Sequence, residues 1–272
     1  MCSLITIEVN MKKLIISIFV ILLLLPGISF AASAFCNALY SAEGGAILSI
    51  GTSDYEVSFW MRQDGDPAAG VAVLGKGIST GGIASWWVVM NPTGSIGCQA
   101  EDISSVFGDF KFDATAFYDD AWHHYYFFAD RSDETTSEIW IDGVQKTLTA
   151  SSGPYPTADM THGNFFTVGA NSNGGTPFEG YIADVKVKIG GTMATTAQIE
   201  FQALNPWDYS SSAWNVSDGE REAYRLDEGS GTTAAAEVTS PTNDLTVTNV
   251  LIWNADGPVV ATSSSQVIII TD

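Results

Sequence analysis

The segment from Trp122 to Phe128 constrains the fold most, because it carries an aromatic or imidazole ring at every position. Successive side chains of a β-strand point to opposite faces, so a strand in this segment has rings on both faces. A strand that buries only one face needs rings on that face alone. The segment therefore predicts a strand whose second face is also covered, by another layer, a loop or a ligand.

A predicted hairpin follows this strand, and most of the chain has the sequence pattern of short strands. The dipeptide Asp142-Gly143 between β-prone runs is a strong hairpin signal. Runs separated by Gly, Pro and Asp predict strands at 46–50, 55–62, 71–75, 85–90, 95–100, 109–112, 122–129, 137–142, 144–148, 165–169 and 181–188. This spacing is typical of an all-β, two-sheet antiparallel sandwich of the jelly-roll type. One short helix is predicted at 195–203, where Thr195 and Gln198 form a capping box.

The first 34 residues have the pattern of a signal peptide. Lys12 and Lys13 precede an apolar run, and the small residues Ala32, Ser33 and Ala34 follow it. We therefore expect a secreted or extracellular protein, in the periplasm or on the cell surface, with no membrane insertion once residues 1–34 are cleaved. An uncleaved membrane anchor is the alternative.

The charge of the chain excludes several classes of partner. Its formal net charge is −20 at pH 7, so phosphate backbones and anionic membranes repel it and nucleic acid is a poor partner. Solubility in a salty medium and bound calcium both explain such acidity. Cys36 and Cys98 are the cysteines beyond the signal peptide. They form a disulfide in an oxidising compartment or remain separate thiols, and neither has the neighbours of a zinc site.

Several ordered motifs resemble one family. The segments 57–62, 121–124, 139–143 and 180–187 are similar to the laminin-G-like, concanavalin A-like lectin/glucanase jelly-roll domain family, and so are 224–233 with Asn243 and Asp244. The resemblance implies a sandwich domain over residues 35–258. This sequence departs from the family pattern at Ala183-Asp184, where members often carry two acidic residues. The stretch at 224–233 normally opens such a domain rather than closing it.

This order implies that the end of the chain completes the same sandwich. In the family the first and last strands lie side by side, so we expect a strand at 223–227 to pair with the strand at 181–188. Further strands are predicted at 244–248 and 250–253, and residues 259–272 form a tail or an extra strand. A truncated second domain starting near Ala223 is the alternative, but about 50 residues are too few for another sandwich.

No residue is predicted to be catalytic. Glu138 and Asp142 are the best pair for a glycosidase, but Asp142 is explained by its turn. His123 and His124 point to opposite faces of a strand and cannot share a metal. Calcium is the candidate cofactor, since oxygen ligands are abundant. The candidate ligands are turn carboxylates, and solvation alone would also explain them: Asp54, Asp119, Asp120, Asp184, Asp227 and Glu228.

Sugar recognition is the function that the aromatic content favours. Sugar rings stack on aromatic side chains, and amides orient the hydroxyls. The residues predicted to bind a ligand are Trp60, Trp86, Trp87, Tyr126, Trp140, Asn171 and Asn173. The alternative is that these rings belong to the core. We therefore expect a secreted, non-catalytic carbohydrate-binding module whose partner is a glycan or a glycosylated surface. A structural or adhesive protein-interaction module is the first alternative, and a weak glycoside hydrolase is the second.

Overall fold

The computed structural model describes residues 33–35, 39–41, 47–77, 85–170, 178–208, 219–226, 233–237, 244–247, 252–254 and 257–258. These residues form short strands and one α-helix, α1 (Thr196–Leu204). The first nine strands are β1 (Ser33–Phe35), β2 (Leu39–Ser41), β3 (Tyr55–Asp64), β4 (Val71–Lys76), β5 (Ser85–Met90), β6 (Ser95–Glu101), β7 (Phe107–Asp113), β8 (Asp119–Ala129) and β9 (Glu138–Ile141). The others are β10 (Val144–Lys146), β11 (Ala150–Ser152), β12 (Phe166–Val168), β13 (Tyr181–Ile189), β14 (Glu220–Tyr224), β15 (Thr233–Ala234), β16 (Leu245–Val247) and β17 (Ile252–Asn254).

The strands form two antiparallel sheets, as the sequence predicts. The first sheet has the order β10-β9-β8-β3-β13-β1-β17, and β14 pairs with β13 beside this path. The second sheet has the order β11-β7-β6-β5-β4-β12-β2-β16-β15. The protein is thus an all-β sandwich of the jelly-roll class, with one α-helix among the residues that the structure describes.

The core lies between the sheets and follows the alternation of the strands. Val57 and Phe59 of β3 and Tyr125 and Phe127 of β8 are buried on the inner face. Phe59 stacks on Tyr125 with ring centroids 5.5 Å apart and on Phe127 at 6.0 Å. Offset aromatic pairs of this kind add to the burial of apolar surface, so β3 and β8 form the centre of the first sheet.

The chain beyond α1 contributes strands to both sheets. β14 runs antiparallel to β13, with Ala223 opposite Lys186 and Glu222 opposite Val187. β15 pairs with β16, and β16 pairs with β2 in the second sheet. β17 pairs with β1. Assignment of residues 35–258 to one domain, with a signal peptide before it and a tail after it, stays a prediction.

Two local predictions from the sequence are confirmed. Asp142 and Gly143 have φ values of 53° and 72°, and Val144 pairs with Ile141 across the turn. Positive φ at both central residues is the tight hairpin geometry that Asp-Gly favours. At α1, the Gln198 N–H donates to the Thr195 hydroxyl and the Thr195 N–H donates to the Gln198 side chain.

One predicted strand is wrong, and other elements were not predicted. Residues 47–50 form a turn rather than part of a strand at 46–50, because Leu48 has a φ of 53°. The Leu48 N–H donates to the Glu220 side chain of β14 and its carbonyl accepts from the Trp86 indole of β5, so its backbone bonds to side chains of two strands and not to a strand ladder. β1, β2, β11 and β15 were not predicted, since strands of two or three residues carry little alternation and these lack the longer β-prone runs that surround the other short strands. Within the described part of the chain, no helix is long and apolar enough to cross a membrane.

Candidate functional site

The aromatic residues predicted to bind a ligand lie buried. Their exposed fractions are 5% for Trp60, 1% for Trp86, 6% for Trp87, 0% for Tyr126 and 7% for Trp140. A ring without an exposed face cannot stack on a sugar. The expectation that these five rings form an open platform is therefore wrong. Asn171 and Asn173 lie outside the described residues.

Trp86 and Trp87 point to opposite faces of β5, as neighbours on a strand must. Trp86 belongs to the core, with its ring 5.0 Å from that of Tyr55. Trp87 lies on the other face in a small cluster with Ala72 and Val89, and its indole N–H donates to Gln99 Oε1 at 3.0 Å. Both rings thus have structural contacts.

The outer face of the first sheet is covered by a helical strap, which we define as residues 192–208 and which contains α1. Tyr126 and Trp140 pack under this strap against Ala194 and Ile199. Phe128 packs at the edge of the same cluster and is half-buried. The second face of the ring-rich strand β8 is therefore covered by the protein itself.

Polar side chains fill the space beside these rings. Glu56 accepts hydrogen bonds from the Tyr126 hydroxyl at 2.8 Å and from the Ala194 N–H at 3.2 Å. Ser58 and His124 Nε2 are hydrogen-bonded at 2.8 Å. Burial lowers the pKa of His124 to about 3, with a further contribution from the nearby charge of Lys186. The imidazole is therefore neutral at physiological pH.

The predicted calcium ligands do not converge. Asp54 accepts from the Arg131 N–H, Asp119 from His123, Asp120 from Arg62, and Asp184 from Lys186. Among the described residues, no group of three His, Cys, Asp or Glu side chains is placed to hold a metal ion. These four carboxylates therefore do not fit a shared calcium site. Asp227 and Glu228 lie outside the described residues, so calcium binding there stays a prediction.

Cys98 is buried in the core, and it forms no disulfide within the described part of the chain. Its predicted partner Cys36 lies outside the described residues, so the pairing stays a prediction. Glu138 and Asp142, the best sequence candidates for a glycosidase pair, both make local structural hydrogen bonds. Glu138 accepts from the Trp140 indole N–H at 2.7 Å, and Asp142 accepts from the His124 backbone N–H at 2.9 Å.

His123 is held between two carboxylates. Its Nδ1 lies 2.7 Å from Asp142 Oδ2, and its Nε2 lies 3.0 Å from Asp119 Oδ1. Ionised carboxylates only accept hydrogen bonds, so both ring nitrogens donate when His123 is an imidazolium. Its pKa is raised, chiefly by the hydrogen bond to Asp142 and then, against the opposing effect of burial, by that to Asp119. The cluster fixes the Asp142-Gly143 turn against the start of β8.

A groove at the opposite end of the sandwich is the best candidate for a ligand site. It has a volume of about 360 Å³ and lies where several loops meet. We call it the Asp54 groove, and its lining residues are Thr52, Ser53, Asp54, Arg131, Ser132, Thr157, Gly190 and Gly191. A recess of about 90 Å³ adjoins it along Asp54, Gly190 and Gly191, and is also lined by Tyr55, Glu56, Phe128 and Met193. The groove thus combines a carboxylate and hydroxyl groups with a half-buried ring nearby.

Arg131 holds the loops that form this groove. Its Nε donates to the Pro156 carbonyl at 2.8 Å, and Nη2 donates to the Ala158 carbonyl at 2.5 Å. Nη1 donates to the Gly51 carbonyl. The side chain is only 3% exposed, and burial lowers its pKa. A buried guanidinium that binds three carbonyls joins the loop before β3 to the loop after β11.

The Gly190-Gly191 turn forms the remaining wall. The two residues have φ values of 69° and 75°, which glycine adopts without strain. The Gly190 N–H donates to the Asp54 carbonyl at 2.8 Å, so the turn is bonded to the residue that carries the groove's carboxylate. Glycine side chains occupy no space, so a ligand can approach the backbone here.

From the sequence, Asp54 is only a calcium candidate and Phe128 is only one ring of the ring-rich strand, whereas Arg131 and the Gly190-Gly191 turn are not among the predicted site residues. An arginine two residues after the end of a strand, and a Gly-Gly pair after another strand, were the available signals. Neither signal indicates that the two loops meet.

The family assignment follows from the sequence match. The Laminin_G_3 family model, described as the concanavalin A-like lectin/glucanases superfamily, matches residues 41–188, more than half of the 272 residues. The chain belongs to this superfamily. The resemblance read from the motifs is thereby confirmed, and the match spans β3 to β13 of the laminin-G-like sandwich. No curated protein sequence matches the chain at a significant level.

Solved structures resemble this laminin-G-like domain only loosely. The botulinum neurotoxin serotype G binding domain has a TM-score of 0.44 at 13% identity, over 57% of this chain and 36% of that one. The SAP-like pentraxin from Limulus polyphemus has a TM-score of 0.45 at 10% identity, over 84% of this chain and 90% of that one. Domains LG4-5 of the mouse laminin α1 chain have a TM-score of 0.41 at 12% identity, over 57% of this chain and 40% of that one. The chain spans about a third of the neurotoxin domain's length.

Proposed function

We propose that this laminin-G-like domain is a secreted, non-catalytic carbohydrate-binding module and that its ligand occupies the Asp54 groove. The observation that carries the proposal is the composition of the groove. Asp54, Thr52, Ser53, Ser132 and Thr157 place one carboxylate and four hydroxyl groups around a single open space. Such a set matches a ligand that presents many hydroxyl groups.

The carboxylate supplies the strongest contact. Asp54 Oδ1 accepts the Arg131 N–H at 2.8 Å, which fixes the orientation of the carboxylate. Asp54 is exposed and lines the groove, and its Oδ2 accepts no hydrogen bond within the described part of the chain. Hydrogen bonds to an ionised acceptor are about twice as strong as neutral ones, so Oδ2 would select a ligand hydroxyl.

Phe128 supplies an apolar contact beside these polar groups. Its ring lines the recess that shares Asp54 and the Gly190-Gly191 turn with the groove. A sugar whose hydroxyls bond to Asp54 would place its C–H face toward this ring. The negative charge of Asp54 and of the whole chain favours neutral sugars over acidic ones. The partner is therefore a neutral glycan, free or on a glycosylated surface.

A glycan array with the full chain tests the proposal. The wild-type protein is expected to bind neutral glycans, and Asp54→Asn to lose at least tenfold in affinity. Asp113→Asn is the matched control, since Asp113 is exposed, carries the same charge and lies at the other end of the sandwich. Equal binding by wild type and Asp54→Asn would refute the groove as the site. No binding to any glycan would favour the adhesive, protein-binding alternative.

A further inference from the structure

The tip of the β6–β7 hairpin exposes a cluster of apolar side chains. Ile103 is 63% exposed, Val106 43% and Phe107 39%. These three residues fall within five consecutive positions. Exposed apolar residues scattered singly need no explanation, but a cluster on one loop indicates a contact surface. We call residues 102–107 the apolar tip.

Hydrogen bonds centred on Asp102 hold the apolar tip in one conformation. The Asp102 N–H donates to the Val106 carbonyl and the Ser105 N–H to the Asp102 carbonyl, both at 3.0 Å. Asp102 Oδ1 accepts the N–H groups of Ser104 at 2.8 Å and of Val106 at 2.9 Å. Four backbone N–H groups of the tip are therefore bonded within the tip. A loop with this property can leave water without losing those hydrogen bonds.

The apolar tip offers no charge to a partner. Asp102 is 4% exposed, and Glu101 at the end of β6 is 8% exposed. The sequence from Glu101 to Phe110 contains no Lys, Arg or His. Basic residues are what attract amphipathic surfaces to anionic lipids, so attraction to such lipids is absent here.

The size of the apolar tip argues against a protein interface. Stable interfaces bury about 800 Å² on each partner and need shape complementarity over that area. Three partly exposed side chains at the end of two strands present far less than this. A lipid interface accepts a small convex apolar surface without complementarity, because apolar burial alone drives the contact.

We propose that the apolar tip inserts shallowly into the interfacial region of a neutral, zwitterionic lipid surface. Ile103, Val106 and Phe107 enter the boundary between headgroups and acyl chains, and no segment spans the bilayer. At this tip alone the proposal departs from the expectation of no membrane insertion after cleavage of residues 1–34. The net charge of −20 repels anionic surfaces, so the contact is specific for neutral headgroups. This inference does not rest on the proposed glycan site, because it needs neither the Asp54 groove nor a sugar.

Co-sedimentation of the full chain with phosphatidylcholine vesicles tests this proposal. We expect the wild-type protein to bind these vesicles and to bind at least tenfold less when phosphatidylglycerol replaces half of the lipid. Ile103→Ser/Phe107→Ser should reduce binding to phosphatidylcholine at least tenfold. Val144→Ser/Leu204→Ser is the matched control, since Val144 (56% exposed) and Leu204 (61% exposed) lie outside the tip.

Ile103→Trp provides a second measurement, which does not depend on whether the serine double variant folds. Its fluorescence should shift to shorter wavelength when phosphatidylcholine vesicles are added, and the same vesicles should leave a Leu204→Trp variant unchanged. Absence of vesicle binding by wild type, or equal loss in both double variants, would overturn the proposal. A dimer in lipid-free solution that depends on Ile103 and Phe107 would overturn it in favour of a protein partner.

Discussion

Arg131 and Asp54 are joined through the backbone: the Arg131 N–H donates to Asp54 Oδ1 at 2.8 Å. The guanidinium of the same arginine binds the carbonyls of Gly51, Pro156 and Ala158. One residue therefore orients the carboxylate of the groove and fixes the loops around it. The groove is a property of long-range contacts between loops, held by a buried cation.

Arg131→Met should destabilise the protein by about 3 kcal/mol, because several buried carbonyls lose a charged donor together. Arg131→Lys should recover only part of this loss, since an ammonium group cannot reproduce the planar fork. Denaturant unfolding measures both effects. Arg62→Met is the control: the Arg62–Asp120 pair is partly exposed, with side chains 24% and 55% accessible, so its loss costs about 1 kcal/mol or less. Equal costs at the two arginines would contradict the clamping role of Arg131.

Because of His123, the stability of the protein should fall as the pH rises above the pKa of a free histidine side chain. Its pKa is raised in the folded protein, chiefly by the hydrogen bond to Asp142. Between the unfolded pKa of about 6.5 and the higher folded value, the folded state binds more protons than the unfolded state. The contribution is therefore complete below about pH 6.5 and is lost as pH rises through the folded pKa. In this pH window, His123→Gln should reduce the slope of the unfolding free energy plotted against pH. An unchanged slope would count against the pairing of His123 with the carboxylates of Asp119 and Asp142.

His124 should have the opposite effect at acid pH. Burial lowers its pKa to about 3 in the folded protein. Between pH 3 and the unfolded value of about 6.5, the unfolded state binds the additional proton, so stability falls as the pH falls. His124→Gln should reduce the steepness of acid unfolding measured by circular dichroism. A variant as acid-sensitive as the wild type would show that other groups dominate.

Asp184→Asn should destabilise the protein by about 3 kcal/mol or more, since removing one partner of a buried ion pair leaves an uncompensated charge. Asp184 Oδ2 lies 2.7 Å from Lys186 Nζ, and both side chains are almost fully buried. The loss should be the same with and without calcium, as measured by thermal unfolding in calcium and in chelator. A loss that appears only in calcium would mean that Asp184 is a calcium ligand instead.

The strands and turns could be predicted because their signals are local. The alternation of Val57 and Phe59 on one face, the Asp142-Gly143 turn and the Thr195 capping box each depend on neighbouring residues. The burial of Tyr126 could not be predicted in this way. Rings on both faces of a strand indicate a second covering layer, but only the packing of the strap around Ile199 shows that this layer is the protein itself.

The candidate site was beyond sequence reasoning for a related reason. Asp54 and Arg131 are 77 positions apart, and their contact arises from the sheet order that brings two loops together. Aromatic content directed the prediction to Trp87 and Trp140, whose rings pack within the fold. The groove instead has a carboxylate, hydroxyls and glycines, residue types that occur in most surface loops.

Backbone amide chemical shifts of the full chain, titrated with a neutral glycan that it binds, test the central claim most directly. The account predicts that the largest shifts fall on Thr52, Asp54, Ser132, Thr157 and the Gly190-Gly191 turn, and that Asp54→Asn abolishes them. Shifts concentrated on the Trp87 face of the second sheet, or at the His123 end of the sandwich, would contradict it.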